Sequence, residues 1–141
     1  MRKLQAVLFD LDGVLVPTTI LHMKAWKELF DSFLPADAEP YTDNDYFQYV
    51  DGKPRYDGVA SMLQSRGISL AQGNPADGDD ARTVCGLGNR KNAIFEHLLH
   101  ERGVEPYDDT VDVLRHYIAQ GTRLAVVSSS RNAREVLKRA R

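Results

Sequence analysis

Two aspartates separated by one residue are the part of the sequence best suited to chemistry. Asp10 and Asp12 follow the short apolar run at residues 7–9, and Gly13 comes directly after them. Side chains alternate in direction along extended backbone, so the two carboxylates are expected to project towards the same side. Two such carboxylates repel each other unless a cation or a shared proton compensates their charge. A strand followed by an Asp-Gly turn explains Asp12, but it leaves Asp10 unpaired at the end of a buried strand.

Ser128 is a second polar residue in a position where chemistry is expected. It follows the apolar run at residues 123–127 and precedes a predicted helix. Ligands in an open α/β sheet bind at the carboxyl ends of the strands. A small hydroxyl surrounded by backbone N–H groups there suits a phosphate. The alternative is that the three consecutive serines at residues 128–130 form only a loop and a helix N-cap.

The segment FDLDGV at residues 9–14 resembles the first signature of the haloacid dehalogenase (HAD) superfamily, in its aspartate-nucleophile phosphotransferase branch. The resemblance implies that Asp10 attacks phosphorus and becomes a phosphoaspartate. It also implies that Asp12 acts as general acid and base, and that Asp10 and the backbone carbonyl of Asp12 hold Mg²⁺. This chemistry is reasonable because a carboxylate is already ionised, and a covalent intermediate divides one transfer into two steps.

Shorter stretches resemble the β-phosphoglucomutase-like subgroup of that superfamily. Residues 18–26 are similar to its opening cap helix, and residues 52–55 to a cap loop whose Arg reaches a substrate phosphate. Residues 90–92 are similar to a cap segment whose Lys faces substrate, and residues 128–132 to a segment that helps to hold the second phosphate of the sugar. The resemblance implies substrate-binding or phosphate-binding roles for Thr18, His22, Arg55, Lys91, Asn92, Ser128, Ser130, Arg131 and Asn132.

Three of these residues can also be considered without the resemblance. His22 lies one helical turn before Trp26, so it could simply cover the edge of a helix interface. Arg55 is predicted at a helix N-terminus, where the macrodipole favours acidic side chains, and an anionic ligand would resolve that mismatch. Lys91 is predicted near another helix start, and it raises the same argument more weakly.

The spacing of apolar residues predicts two strands and six helices. Fully buried strands are expected at residues 7–9 and 123–127. Helices are expected at about residues 20–33, 43–50, 54–66, 89–102, 107–120 and 131–141. The fifth helix should direct Val111, Leu114 and Ile118 inward. The segment at residues 69–80 is predicted to be a loop, and Gly86-Leu87-Gly88 a turn before the fourth helix.

The long helical stretch between the two strands is too large for a single crossover connection, which favours an inserted domain. We therefore expect an α/β fold. The resemblance implies a HAD-like Rossmannoid parallel-sheet core, incomplete in this chain, and an inserted α-helical cap. The expected core comprises residues 1–17 and 105–141, and the expected cap comprises residues 18–104.

The composition excludes several classes of protein. The chain has 141 residues, a formal net charge of −2 and 43 % hydrophobic residues, which suits one globular domain or a small domain with an insertion. This near-neutral balance indicates neither nucleic acid nor a membrane as a partner, and no apolar segment approaches the ~20 residues that span a bilayer. Cys85 is the single cysteine, so an internal disulfide is excluded, and we expect it to be buried. We expect a cytoplasmic protein with a monomeric core.

Three functions remain open from the sequence. The first is a Mg²⁺-dependent sugar-phosphate mutase with Asp10 as nucleophile, and the second is a phosphatase on a similar sugar phosphate, with water as the acceptor. The third is a non-catalytic fragment or interaction module. Members of the superfamily also use a Lys and an acidic pair that lie beyond the second-strand helix, and this sequence ends at Arg141, before either. We therefore expect the front part of a longer polypeptide, impaired as an enzyme on its own.

Overall fold

The computed structural model describes residues 4–140. Residues 1–3 of the predicted core and residue 141 of the predicted last helix lie outside the described residues. The elements in chain order are β1 (Ala6–Phe9), α1 (Thr19–Phe33), α2 (Asp43–Asp45), a π-helical segment (Tyr46–Val50), α3 (Arg55–Ser65), α4 (Val84–Arg102), α5 (Asp108–Ala119), β2 (Arg123–Val126) and α6 (Ala133–Arg139).

The chain divides into two compact units. Met1–Ile20 together with Leu99–Arg141 forms one, called the core unit below, and Leu21–Leu98 forms the other, called the helical unit. The predicted core and cap boundaries remain a prediction.

The core unit is built on two parallel strands. Phe9 of β1 pairs with Val126 of β2, and Val127 donates a backbone hydrogen bond of 2.8 Å to the carbonyl of Phe9. This register brings the residues that follow each strand, Asp10 and Ser128, to the same end of the sheet, as expected for parallel strands. Helix α5 is tied to the loop after β1 because the Tyr107 N–H donates to the carbonyl of Leu15 at 3.1 Å.

The prediction that both strands are fully buried is wrong. Leu8 in the middle of β1 is 68 % exposed, and Val126 at the end of β2 is 36 % exposed. Helix α5, which lies wholly in the described range, has no buried residue, and Ile118, expected to point inward, is 63 % exposed. A parallel sheet normally needs helices on both faces, and a sheet of two strands offers them little surface to cover.

The helical unit has a hydrophobic core of its own. Helix α1 places Leu21, Ala25 and Leu29 on one face at intervals of four residues. The segment predicted as a short helix at residues 43–50 has its N-terminus capped by Thr42, but it continues as a π-helix. The buried cluster comprises Trp26, Leu29, Phe30, Tyr41, Tyr46, Val50, Val59, Met62, Leu63, Val84 and Leu87.

A buried ion pair connects the start of this short helix to the end of α3. Arg66 donates to Asp45 at 2.8 Å, and both side chains are less than a tenth exposed. Burial opposes ionisation of Asp45, but hydrogen bonds from Arg66 and from Thr42 outweigh it and hold the pKa of this carboxyl below its usual range. Arg66 also donates to the carbonyls of Glu39 and Pro40, so it anchors the segment that leads into α2.

The prediction of a turn at Gly86-Leu87-Gly88 is wrong, because these residues lie inside α4 and are buried. The hydroxyl of Thr83 accepts a hydrogen bond from the Gly86 N–H at 3.0 Å, so it caps the helix five residues earlier than predicted. Both glycines serve close packing. A Cβ at Gly86 would lie 2.2 Å from the Ala81 carbonyl oxygen, and a Cβ at Gly88 would lie 2.6 Å from the Tyr56 ring.

Candidate functional site

Asp10 and Asp12 lie in a tight loop at the end of β1. The Asp10 Oδ1 atom accepts a hydrogen bond from the Leu11 backbone N–H at 2.7 Å, and Leu11 itself is fully buried. Gly13 follows with φ of 76°, in the left-handed region that favours glycine, and its N–H donates to the carbonyl of Val16 at 2.8 Å. Asp10 is exposed, so it does not end a buried strand as the sequence suggested. The loop holds this carboxylate at the surface of the core unit.

The carboxylate of Asp12 faces two hydroxyls, one from a residue nearby in the chain and one from a residue far along it. Thr18 donates to its Oδ1 atom at 2.5 Å, and Thr18 is fully buried. Ser128, which follows β2, lies 3.5 Å from the Oδ2 atom at the limit of a hydrogen bond. Thr18 was predicted to contact substrate, and in this structure its hydroxyl contacts Asp12. Together these contacts fix the direction in which the Asp12 carboxylate points.

The segment after β2 folds into two successive hydroxyl turns. The Ser130 N–H donates to the Ser128 hydroxyl at 3.1 Å, and the Asn132 N–H donates to the Ser130 hydroxyl at 3.2 Å. Helix α6 therefore starts at Ala133, two residues later than predicted, and Arg131 is exposed ahead of it. Serine side chains that bond the backbone two residues on are typical of such turns. The turns place the Ser128 hydroxyl beside Asp12.

In the helical unit, His22 and Lys91 form a close pair. The Lys91 Nζ atom lies 2.7 Å from the His22 Nδ1 atom, and Lys91 is buried. The His22 ring stacks on Phe95 with 4.2 Å between the centroids, and the Lys91 ammonium lies 5.1 Å from the centroids of Phe95 and Trp26. Burial, followed by the charges of Lys91 and Arg55, lowers the pKa of His22 to about 3. Neutral Nδ1 therefore accepts from the ammonium.

Arg55 lies at the N-terminus of α3, as the sequence predicted, and is its first residue. Its guanidinium donates to the Asn92 Oδ1 atom at 2.9 Å, and the Asn92 amide donates to Glu96 at 2.8 Å. The charge of Arg55 also lowers the pKa of His22, so both Arg55 and Lys91 lie close enough to this ring to influence its protonation. Lys91 is eight residues into α4 rather than near its start. The helical unit thus gathers two cations around a neutral histidine, an arrangement suited to an anion.

The predicted site residues therefore form two groups, each described within its own unit. The core unit brings together Asp10, Asp12, Thr18, Ser128 and Ser130, with Arg131 and Asn132 next to them in the chain. The helical unit brings together His22, Arg55, Lys91 and Asn92.

Sequence reasoning predicted Asn92 as a substrate-binding residue, but it missed Glu96 and the support that Asn92 gives to Arg55. Asn92 and Glu96 are four residues apart, a spacing that indicates contact on a helix and could have revealed their hydrogen bond. The hydrogen bond between Tyr56 and Asn89 joins two helices, and no local pattern predicts it.

The oxygen atoms near Asp10 suit Mg²⁺ by chemical type, because hard cations prefer oxygen ligands. They do not make a complete site. Both carboxylate oxygens of Asp12 face hydroxyls, which leaves the Asp10 carboxylate and the Asp12 backbone carbonyl as protein donors. Within residues 4–140, no three His, Cys, Asp or Glu side chains gather as metal ligands. The residues fit part of a Mg²⁺ site of near-octahedral geometry.

Comparison with known proteins identifies the family. A family profile described as hydrolase, haloacid dehalogenase-like hydrolase, matches residues 4–141. The chain belongs to this family. The α/β fold of this haloacid dehalogenase-like protein is shared by solved structures, and the described residues form a parallel sheet of two strands.

Two groups of relatives refine the assignment. This haloacid dehalogenase-like chain is 48 % identical over 144 residues to a β-phosphoglucomutase of Mycobacterium bovis, covering 96 % of this chain and 55 % of the relative. A solved archaeal β-phosphoglucomutase from Pyrococcus is 28 % identical, with a TM-score of 0.70, covering 93 % of this chain and 55 % of that one. A putative β-phosphoglucomutase from Thermotoga maritima shares the fold with a TM-score of 0.68 at 22 % identity, covering 97 % and 56 % of the respective chains.

The chain is therefore a member of this family that is similar to β-phosphoglucomutases. It spans about half the length of the curated relatives it matches, at 55 % of the mycobacterial one. In the part of the chain that the structure describes, no helix is long and apolar enough to cross a bilayer.

Proposed function

We propose that this protein acts in Mg²⁺-dependent phosphoryl transfer on a sugar phosphate, with Asp10 as the nucleophile that becomes a phosphoaspartate. The observation that carries the proposal is the hydroxyl clasp on Asp12, formed by Thr18 and Ser128, directly beside an exposed Asp10. A carboxylate at the surface can reach phosphorus, and a second carboxylate with a fixed direction can exchange a proton with the reacting oxygen. The 48 % identity to a β-phosphoglucomutase supports a sugar phosphate as substrate.

The reaction divides into two half-reactions that balance. An Asp10 carboxylate oxygen attacks phosphorus and forms an O–P bond, while the bond from phosphorus to the sugar oxygen breaks. Asp12, protonated for this step, gives its proton to that departing oxygen. In the second half, Asp12 takes a proton from an acceptor hydroxyl, which attacks the phosphoaspartate and regenerates Asp10. The hydroxyls of Thr18 and Ser128 keep the proton-bearing carboxyl aimed during both halves.

The Asp10 carboxylate and the Asp12 backbone carbonyl are the groups that would hold Mg²⁺ in the core unit. When bound, the ion would neutralise negative charge between the nucleophile and the phosphate. The Ser128 hydroxyl and the backbone N–H groups of the serine turns would orient phosphate oxygens in the same unit.

The helical unit would recognise the rest of the substrate. Arg55 and Lys91 supply positive charge, and His22 stays neutral because its pKa is about 3. An arginine that is already hydrogen-bonded through Asn92 suits a phosphate group, since its fork geometry allows paired contacts. Cationic groups for a second phosphate favour a mutase over a phosphatase.

Phosphatase activity is the second candidate, and the exposure of Asp10 favours it because water can reach the phosphoaspartate. The two functions differ only in the acceptor, which is a sugar hydroxyl in one and water in the other.

A turnover assay tests the proposal. The protein is incubated with β-glucose 1-phosphate or with simple phosphomonoesters, with and without Mg²⁺, and both glucose 6-phosphate and inorganic phosphate are measured. Asp10→Asn should abolish Mg²⁺-dependent turnover, whereas Asp112→Asn, which removes an exposed carboxylate of α5, should not change it. Glucose 6-phosphate as product supports the mutase, and inorganic phosphate supports the phosphatase. Turnover that survives in Asp10→Asn would contradict both.

A further inference from the structure

One face of α4 carries a row of small and polar residues that support the start of α3, either directly or through a neighbour. These residues are Gly88, Asn89, Asn92 and Glu96, called the α4 brace below. Their spacing of three or four residues places most of them one above another on the helix surface. Because Arg55 and Tyr56 begin α3 opposite this row, the brace determines how the Arg55 side chain is supported.

Gly88 allows the two helices to approach closely. A Cβ at this position would lie 2.6 and 2.8 Å from two carbons of the Tyr56 ring and 3.2 Å from the Cδ atom of Arg55. Gly88 lies within a regular helix, so a special backbone conformation does not explain it. The absent side chain is therefore a packing requirement, and it brings Tyr56 and Arg55 against the backbone of α4.

A hydrogen bond between Tyr56 and Asn89 stabilises this close packing of α3 against α4. The Tyr56 hydroxyl donates to the Asn89 Oδ1 atom at 2.9 Å. The Asn89 amide nitrogen donates to the carbonyls of Pro75 at 3.1 Å and Asp77 at 2.8 Å. These two acceptors use both amide protons, so they determine which end of the amide faces Tyr56. The start of α3 is thus held to α4 and to the preceding loop.

Asn92 and Glu96 hold the guanidinium itself. The Asn92 Oδ1 atom accepts from Arg55 at 2.9 Å, and its Nδ2 atom donates to the Glu96 carboxylate at 2.8 Å. Glu96 thereby fixes the orientation of the Asn92 amide, because the nitrogen must face the carboxylate and the oxygen must face Arg55. Glu96 is exposed, and its contribution to Arg55 passes through Asn92.

We propose that Tyr56 and Glu96 are positioning residues that hold the Arg55 guanidinium ready for one phosphate group. They act through Asn89 and Asn92, at an approach that Gly88 makes possible. The proposal deepens the function proposed above, since it rests on Arg55 as a phosphate ligand. A long arginine side chain loses conformational freedom when it binds an anion, and a brace that orders it beforehand reduces that cost. Removal of the brace should therefore weaken phosphate binding without removing any phosphate contact.

When Glu96 is replaced, an effect of its charge and an effect of its positioning role predict opposite changes in phosphate binding. This makes the proposal testable. The Glu96 carboxylate is bonded to Asn92, which is bonded to Arg55, so its removal raises the positive potential near Arg55, and electrostatics alone would strengthen the binding of an anion. Loss of the Asn92 orientation would weaken it instead. Gln at position 96 keeps an oxygen that can accept from Asn92, so it separates the hydrogen bond from the charge.

The experiment is a titration of the 141-residue protein with inorganic phosphate, followed through the NMR signal of the Arg55 Nε–H group. Glu96→Ala should raise the dissociation constant about three- to tenfold, the effect of one lost hydrogen bond. Glu96→Gln should restore binding close to that of the unchanged protein. Glu101→Ala is the matched control, because it removes an exposed carboxylate from the last turn of the same helix, and it should leave the constant unchanged. Circular dichroism checks that each variant is folded.

Tyr56→Phe supplies a second line of the same test. It removes only the hydroxyl that donates to Asn89, so the aromatic packing stays, and it should also weaken phosphate binding severalfold. Phosphate binding that is unchanged or tighter in folded Glu96→Ala would overturn the proposal, and so would an Arg55 signal that does not respond to phosphate in the unchanged protein. The titration needs no phosphoaspartate, so failure of the nucleophile at Asp10 and failure of the brace are distinguishable.

Discussion

Two hydroxyl groups set the orientation of the Asp12 carboxylate. The carboxylate accepts a hydrogen bond from the hydroxyl of Thr18, six residues later. It also faces the hydroxyl of Ser128, which follows the neighbouring strand. The motif could be predicted from the sequence because it is short and local. The hydroxyl clasp could not, because it depends on strand register, which brings residue 128 beside residue 12 only in three dimensions.

At this scale we expect Asp12→Asn to lower kcat by about 10²–10⁴-fold, the usual contribution of general acid–base catalysis. Binding of Mg²⁺ should change little, because the backbone carbonyl of Asp12 is retained. Steady-state kinetics and a Mn²⁺ competition titration measure the two effects separately. The assigned role is wrong if metal binding disappears while the residual rate is unaffected.

The pair of His22 and Lys91 should make stability depend on pH. The pKa of His22 is about 3 in the folded chain and near 6.5 when unfolded, so below pH 6.5 the unfolded state binds more protons. Stability associated with His22 is therefore complete above pH 6.5 and decreases as the pH falls towards 3. The expected loss between pH 7 and pH 5 is about 1–2 kcal/mol.

Urea unfolding at several pH values measures this effect. His22→Gln keeps an acceptor for Lys91 but cannot titrate, so its stability should decrease less between pH 7 and pH 5. His97→Gln, at an exposed position of α4, is the matched control and should retain the original pH dependence. Identical pH dependence in His22→Gln and the unchanged protein would contradict the burial of a neutral histidine.

At the scale of elements, regular patterns were predicted well and packing was not. Helix α1 was predicted to begin at residue 20 and begins at Thr19, because its four-residue apolar spacing is unambiguous. The glycines of α4 were taken for a turn, since glycine usually interrupts helices. Close packing explains both glycines: Gly86 lies against the carbonyl of Ala81, which precedes the helix, and Gly88 lies against the ring of Tyr56 on α3. A local sequence pattern contains neither contact.

Gly86→Ala should therefore destabilise the helical unit. The new Cβ would lie 2.2 Å from the backbone carbonyl of Ala81, which cannot swing away as a side chain would. We expect a loss of about 1–3 kcal/mol in the free energy of unfolding. Gly78→Ala is the control, because its Cβ would meet only the end of the Asp80 side chain. Equal stability of the two variants would show that α4 adjusts its start freely.

At the scale of the whole molecule, the strands and α5 of the core unit leave large apolar side chains exposed to solvent. Leu8 and Ile118 are 68 % and 63 % exposed, whereas the helical unit encloses a continuous apolar cluster. The fold class could be predicted because the segment at residues 9–14 resembles the HAD signature, and two strands with a long helical stretch between them agree with it. The exposure of the strands could not, since burial depends on how many neighbouring strands and helices a sheet has.

The incomplete donor set predicts weak Mg²⁺ binding by the 141-residue chain. The described residues near the nucleophile offer the Asp10 carboxylate and one backbone carbonyl, and near-octahedral Mg²⁺ takes about six oxygens. Isothermal titration should give a dissociation constant in the millimolar range, raised further in Asp10→Asn and unchanged in Asp112→Asn. A micromolar constant would mean that more ligands converge than the described residues provide.

Covalent trapping of the nucleophile tests the central claim most directly. The chain is incubated with Mg²⁺ and acetyl phosphate, or with a trifluoroberyllate mimic, and the labelled residue is located by peptide mass spectrometry or by fluorine NMR. The label should lie on Asp10, disappear in Asp10→Asn, and persist in Asp112→Asn. A label that remains in Asp10→Asn, or that maps to another residue in the unchanged chain, would contradict the assignment of Asp10 as the phosphorylated nucleophile.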